Sequence, residues 1–342
     1  MFNAFFDILF PKTETKQNTI YPKTNISEFL LKNLIYFQDT KENPHPSNNL
    51  TMDDLNQLVT QIDFSNLLYQ KKEKILQDIL IISHLSPFIA KLFKNKIIPA
   101  DIQIDKNLSV LGKIKEKPTS KDVHNTILLP PDFKTATFIH EYLHLKQGYD
   151  GVFNFNHLFP IVHKMAEAHA KGADFIIAAR LNYFMSKAYS FHSPDKNLSF
   201  VDKIISKRYN LKKHLFQSKR EAICYAEEET IGILMKCLLT HKKEHRRQIL
   251  NNFVPNTLKE FDISSINNYA KNWRFDYSVD TEYKNLDLTN QSLQQELKKI
   301  TFVNSYYTNL THVPISCLNL KIKGQKIPID TYLKKQNYQK IK

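Results

Sequence analysis

The chain has 342 residues, room for about two domains or one large helical body, and its 42% hydrophobic and 24% charged residues exclude a wholly disordered chain. Lys plus Arg exceed Asp plus Glu by 48 − 34 = 14, a charge suited to an anionic partner such as nucleic acid or a membrane surface, although 6 glycines, 29 asparagines and many lysines are also what AT-rich coding produces. Three scattered cysteines, Cys224, Cys237 and Cys317, with no CxxC pair, exclude a disulfide framework and a thiolate zinc ribbon and point to a reducing compartment.

The N-terminal MFNAFFDILFPK reads as a short amphipathic helix, without the positive flank of a secretory signal, so the chain is expected in the cytoplasm or delivered as an effector by another route. No run of 18 apolar residues predicts a membrane span. Helical periodicity dominates, and six glycines leave little turn punctuation, so the fold is expected to be mostly α with a small sheet, an α+β class. Asn25 with Glu28, and Thr51 with Asp54, carry capping-box logic for two helices on either side of the loop KENPHPSNN. Helical pattern then runs from about 65 to 96, with a break at Pro87. Residues 101 to 129 change character: DIQID, SVLGKI and NTILL are β-like runs around the polar KEKPTSKD. From 132 to about 245 long amphipathic helices return, interrupted at SFHSPDKNLS, and the last 60 or so residues look mixed. The expected division is an N-terminal helical region at 1–100, a core at 101–250 and a mixed α/β region at 251–342.

Within the first helix after the β-like region lies FIHEYLHLKQG, where His140, Glu141 and His144 form HExxH. At 100° per residue the two histidines project from one face a turn apart, close enough to share one Zn²⁺, while Glu141 sits beside them, placed to take a proton from a water at the metal. With 13 His and 15 Glu in the chain, about 0.02 such motifs are expected by chance. Pro130, Pro131 and Asp132 can start the helix, and Gly148 can end it.

Two histidines leave a catalytic zinc one protein ligand short. Glu167, 23 residues after His144 in HKMAEAHAKGADF, is the preferred third ligand, on a second helix that Asn156 can cap and whose first turn can hold Pro160. His163, Glu167 and Asp174 share a face of that helix, so His163 and Asp174 are candidates to hydrogen-bond a ligand from behind. His169 points about 200° away from Glu167, so the two cannot both bind one metal, and His169 remains an alternative.

These residues resemble the zincin metallopeptidases of the gluzincin type over about 50 residues, 126 to 174, and are similar to bacterial metallopeptidase-domain proteins that pair HExxH with a downstream Glu-Ala such as Glu167-Ala168. The resemblance implies a zinc-dependent peptide-bond hydrolase with Glu141 as general base, a protein or peptide substrate, and an edge strand just before the metal helix that holds an extended peptide; NTILLP at 125–130 matches by position. Lys146 and Lys171 depart from the pattern, the latter where an Asp often follows the Glu ligand. By metzincin spacing, Asp150 is a further alternative ligand. An oxyanion donor could come from Tyr183, Tyr225 or His214.

Elsewhere, His241 and His245 sit among basic residues that would repel a dication, and the acidic run at 227–229 reads as a charged helix face. KIISKRYNLKKHLFQSKR, 203 to 220, holds seven Lys or Arg and no acid. That supports a second function class, a non-enzymatic basic helical binding protein for nucleic acid or an anionic surface.

Overall fold

The computed structural model describes residues 50, 52–94, 96–110, 112–115, 125–154, 159–189, 196–240, 243–255, 291–315, 319–322 and 325–328. The amphipathic N-terminus, the helix expected after Asn25, Asn156, His241 and Cys317 lie outside them. Among the described residues the fold is mostly helical with a small mixed four-stranded sheet, the α+β class expected. No described helix is long and apolar enough to cross a membrane.

The order is α1 (Met52–Gln61), β1 (Ile62–Asp63), α2 (Tyr69–Leu85), α3 (Pro87–Lys94), β2 (Ala100–Ile104), β3 (Lys113–Ile114), β4 (Asn125–Leu129), α4 (Thr135–Tyr149), α5 (Phe159–Tyr189), α6 (Lys196–Lys212), a 3₁₀ turn (Lys213–Leu215), α7 (Lys219–Leu238), α8 (Lys243–Phe253), α9 (Gln291–Thr311) and the hairpin β5 (Asn319–Ile322) and β6 (Gln325–Pro328). Pro87 divides α2 from α3 as its missing N–H requires, with Ser86 extended between them.

The described residues fall into two compact units. The first comprises those up to Glu116, from His124 to Leu143 and from Ala173 to Glu227; the second those from His144 to Gly172 and from Glu228 onward. In the first, the sheet runs β1-β2-β4-β3, with β1, β2 and β4 parallel and β3 antiparallel to β4. This corrects one expectation: β4, the strand before the HExxH helix, is interior, and among the described residues β3 is the outer strand on that side. β4 is buried along nearly its whole length, as a strand with neighbours on both sides should be. Phe138 and Tyr142 pack α4 into this core, Tyr142 stacking on Phe93 at 5.2 Å between centroids and accepting the Ile98 N–H at 3.0 Å. The Thr135 hydroxyl donates to buried Asp78 at 2.7 Å and Lys71 Nζ to the Phe133 carbonyl at 2.6 Å, so the start of α4 is tied to α2.

The end of α4 also differs from expectation. The helix continues through Gly148 and stops at Gly151, whose φ of +84° is in the left-handed region. The Val152 N–H donates to the Gln147 carbonyl and the Gly151 N–H to the Gly148 carbonyl, the paired bonds of a Schellman stop, with Val152 fully buried behind them. Gly148 needs no special backbone angle, so a helical glycine there is tolerated.

Candidate metal centre

α4 and α5 supply the site. His140, Glu141 and His144 are all buried on α4, while Glu167 and Asp174, two turns apart on one face of α5, are half-buried. Among the described residues, one group of three or more His, Cys, Asp or Glu side chains brings ligand atoms together closely enough for an ion: His140, His144 and Glu167, within 4.8 Å of one another. His144 Nε2 lies 3.1 Å from Glu167 Oε1.

What stands behind each imidazole decides how its ring is used. His140 Nδ1 lies 3.1 Å from Asp174 Oδ2, and His144 Nδ1 lies 2.9 Å from Gln147 Oε1. A carboxylate and an amide oxygen can only accept here, so each Nδ1 donates, and a neutral ring in that tautomer turns an Nε2 lone pair toward the group. Gln147 is itself oriented: its Nε2 donates to the Ala166 carbonyl at 3.3 Å and meets His169 Nδ1 at 3.1 Å. With neutral rings, two imidazole lone pairs and a carboxylate oxygen then converge, a group that a proton or a cation between them holds together. His₂Glu is a donor set that fits zinc.

His169 is fully buried, but it serves Gln147 and packs against the Tyr307 ring at 5.6 Å, outside the ligand group. Asp150, also outside it, closes α4 and accepts the Tyr306 hydroxyl at 2.8 Å. Neither alternative third ligand joins the cluster. His163 stands one turn before Glu167, near enough that, after burial itself, Glu167 and His144 both act on its pKa, Glu167 raising it and His144 lowering it. Of the oxyanion candidates, His214 is exposed and Tyr225 packs on Phe216 at 4.9 Å, while the Tyr183 side chain lies outside the described residues. Lys146 and Lys171 are half-buried.

Two further residues bear on the site without having been singled out in the sequence. At Gly112, just before β3, an added methyl group would lie 2.6 Å from Glu141 Cγ and 2.7 Å from its Oε1, so the backbone there fits against the Glu141 side chain only because residue 112 is glycine. Tyr307 on α9 is fully buried, and Glu167 and Asp150 are among the charges that, after burial itself, push its hydroxyl pKa up. No local pattern could have found either, since Gly112 lies 29 residues before Glu141 and Tyr307 far beyond Glu167.

The acidic run at 227–229 is not a solvated face. Glu227 is fully buried, its Oε1 accepting from Arg180 Nε at 2.7 Å and its Oε2 from the Ser86 hydroxyl at 2.9 Å and the Phe88 N–H at 3.0 Å. Glu228 meets His312 Nε2 at 2.9 Å, and Glu229 is also buried. His245 is exposed, as its basic surroundings suggest. Comparison of the chain with protein-family models, curated proteins and solved structures gives no match.

Proposed function

We propose that the chain is a zinc-dependent peptide-bond hydrolase of the zincin type, with His140, His144 and Glu167 as metal ligands and Glu141 as general base. The observation that carries this reading is the convergence of two Nε2 lone pairs and one carboxylate oxygen, each imidazole held from behind by an acceptor. A zinc ion held there supplies Lewis-acid polarisation of a carbonyl and lowers the pKa of water from 15.7 to about 7. Asp174 and Gln147 keep the ligand nitrogens aimed. Glu141, next to His140 on α4 and backed by Gly112, takes the proton of the attacking water and delivers it to the leaving amine. The side chains of His140, His144 and Glu167 retain 9%, 10% and 21% of their surface, so the cluster is accessible enough to meet a substrate.

A peptide substrate is supported by β3. Among the described residues it is the outer strand beside Glu141, so an extended peptide would pair with Lys113–Ile114 in place of the β4 edge first expected. We place the chain in a reducing compartment, the cytoplasm or that of a cell receiving it as an effector, because its three cysteines are too few and too scattered for a disulfide framework. Elemental analysis of the purified chain tests the reading: near-stoichiometric zinc is expected, lost in His140→Ala and His144→Ala. Glu141→Gln keeps the zinc and slows hydrolysis of a peptide library by about 10²–10⁴-fold. A native protein that takes up no zinc overturns the proposal.

A further inference from the structure

The metal centre leaves unused the basic stretch at the end of α6, where the structure adds something charge alone does not show. Phe200, Val201, Ile204 and Ile205 bury one side of the helix. Past Ile205 no residue of α6 is buried; Lys203 and Leu211 are exposed and Lys207 half-exposed, within about 80° of helical arc. The 3₁₀ turn carries on with exposed Lys213, His214 and Leu215. Leu211 and Leu215 expose 50% and 60% of their surface, among the most exposed large apolar side chains of the described residues. The tip is held in place from behind: Phe216 packs on the Tyr225 ring at 4.9 Å and Lys212 Nζ sits 5.9 Å over it. Residues 203 to 220 carry seven Lys or Arg and no acid. Of the acids flanking them, Asp202 turns in toward Arg180 at 3.7 Å, and Glu221 lies on the first turn of α7.

We propose that this tip docks the chain on an anionic phospholipid surface, with Leu211 and Leu215 entering the acyl boundary and Lys203, Lys207 and Lys213 lying at the headgroups. Charge complementarity selects an anionic partner, and the leucines select the lipid: a phosphate backbone offers two leucines nothing, whereas a bilayer takes them up. Single-stranded nucleic acid would call for exposed aromatic platforms, and the aromatic residues of the stretch, Tyr209 and Phe216, are half-buried. The inference is independent of the metal centre.

Sedimentation of the full chain with phosphatidylcholine vesicles, with and without phosphatidylglycerol, tests it. Binding is expected only with phosphatidylglycerol and should weaken with salt. Because a chain of charge +14 binds many anions, the leucines are the deciding arm. Leu211→Asp with Leu215→Asp should lower partitioning about tenfold or more with unchanged thermal melting, and Lys203→Glu with Lys213→Glu should lower it as well. Leu215→Trp emission should be quenched by brominated acyl chains. The proposal is overturned by failure to bind phosphatidylglycerol vesicles, by leucine variants that bind as well as the parent, by absence of quenching, or by a surface whose lysine variant loses duplex DNA while its leucine variant keeps both DNA and vesicles.

Discussion

One helix, α5, carries two clusters of charged residues that differ in kind. Toward its N-terminal half, Glu167 and Asp174 face the histidines of α4; further on, Arg180 meets Glu227 and Asp202. Around Arg180 opposite charges are matched, and both Glu227 oxygens accept bonds from Arg180, Ser86 and Phe88. That is how a buried charge is accommodated when it serves the fold. In the candidate metal centre two imidazoles and a carboxylate bring ligand atoms within 4.8 Å of one another instead, the residue types that hold a metal. The contrast separates a charge cluster closed by its own ion pairs from one whose residue types suit a cation, although both are built around charged side chains of α5.

Removing the cation from the matched cluster should have the largest effect. Arg180→Met leaves Glu227 buried without its charge partner and should cost about 3–5 kcal/mol in denaturant unfolding. Glu167→Gln removes the carboxylate of the candidate metal centre, and the metal-free chain should unfold within about 1 kcal/mol of the parent. If the two variants were equally damaging, the distinction between the clusters would fail.

Next comes Gly112→Ala. The added methyl must displace either Glu141 or the backbone before β3, and a displacement of about 1 Å at a catalytic group can cost 10²-fold in rate. Zinc content should be unchanged, because none of the three ligands moves. Loss of zinc instead would mean that residue 112 supports α4 as a whole. Smaller still are Asp174→Ala and Gln147→Ala, each expected to weaken zinc affinity about 10–100-fold in chelator competition, since each frees one imidazole to rotate or change tautomer.

Those two supports were not equally legible. The common face of Glu167 and Asp174 follows from helical arithmetic within α5, as does the divergence of His169, and the HExxH spacing needs only one helix. Gln147 stands three residues after His144, near enough to be found, yet amide side chains carry no motif; its role emerges only from Ala166 and His169 arriving across the turn. Contacts between distant segments leave no period to read. The two-residue strand β3, too short for any alternation, turned the expected edge at β4 into an interior strand. The run at 227–229 looked like a solvated face because its partners, Arg180 and His312, lie far away in sequence.

The gentlest probe of the comparison is pH. Burial, with Glu227 adding to it and Arg180 opposing, pushes the Asp202 carboxyl up from 3.8 to about 6. The folded chain therefore holds a proton on Asp202 that the unfolded chain releases. The stability this residue contributes is fully present below pH 3.8 and is lost as pH rises through about 6. With a quarter of its side chain exposed, solvent screening reduces the effect to about 1 kcal/mol. Asp202→Asn should remove that slope from the pH dependence of unfolding between those limits while leaving zinc affinity at neutral pH unchanged. A change in zinc affinity would show that the two clusters of α5 act on each other, whereas a flattened pH profile alone would mark the Arg180 cluster as a part of the fold only.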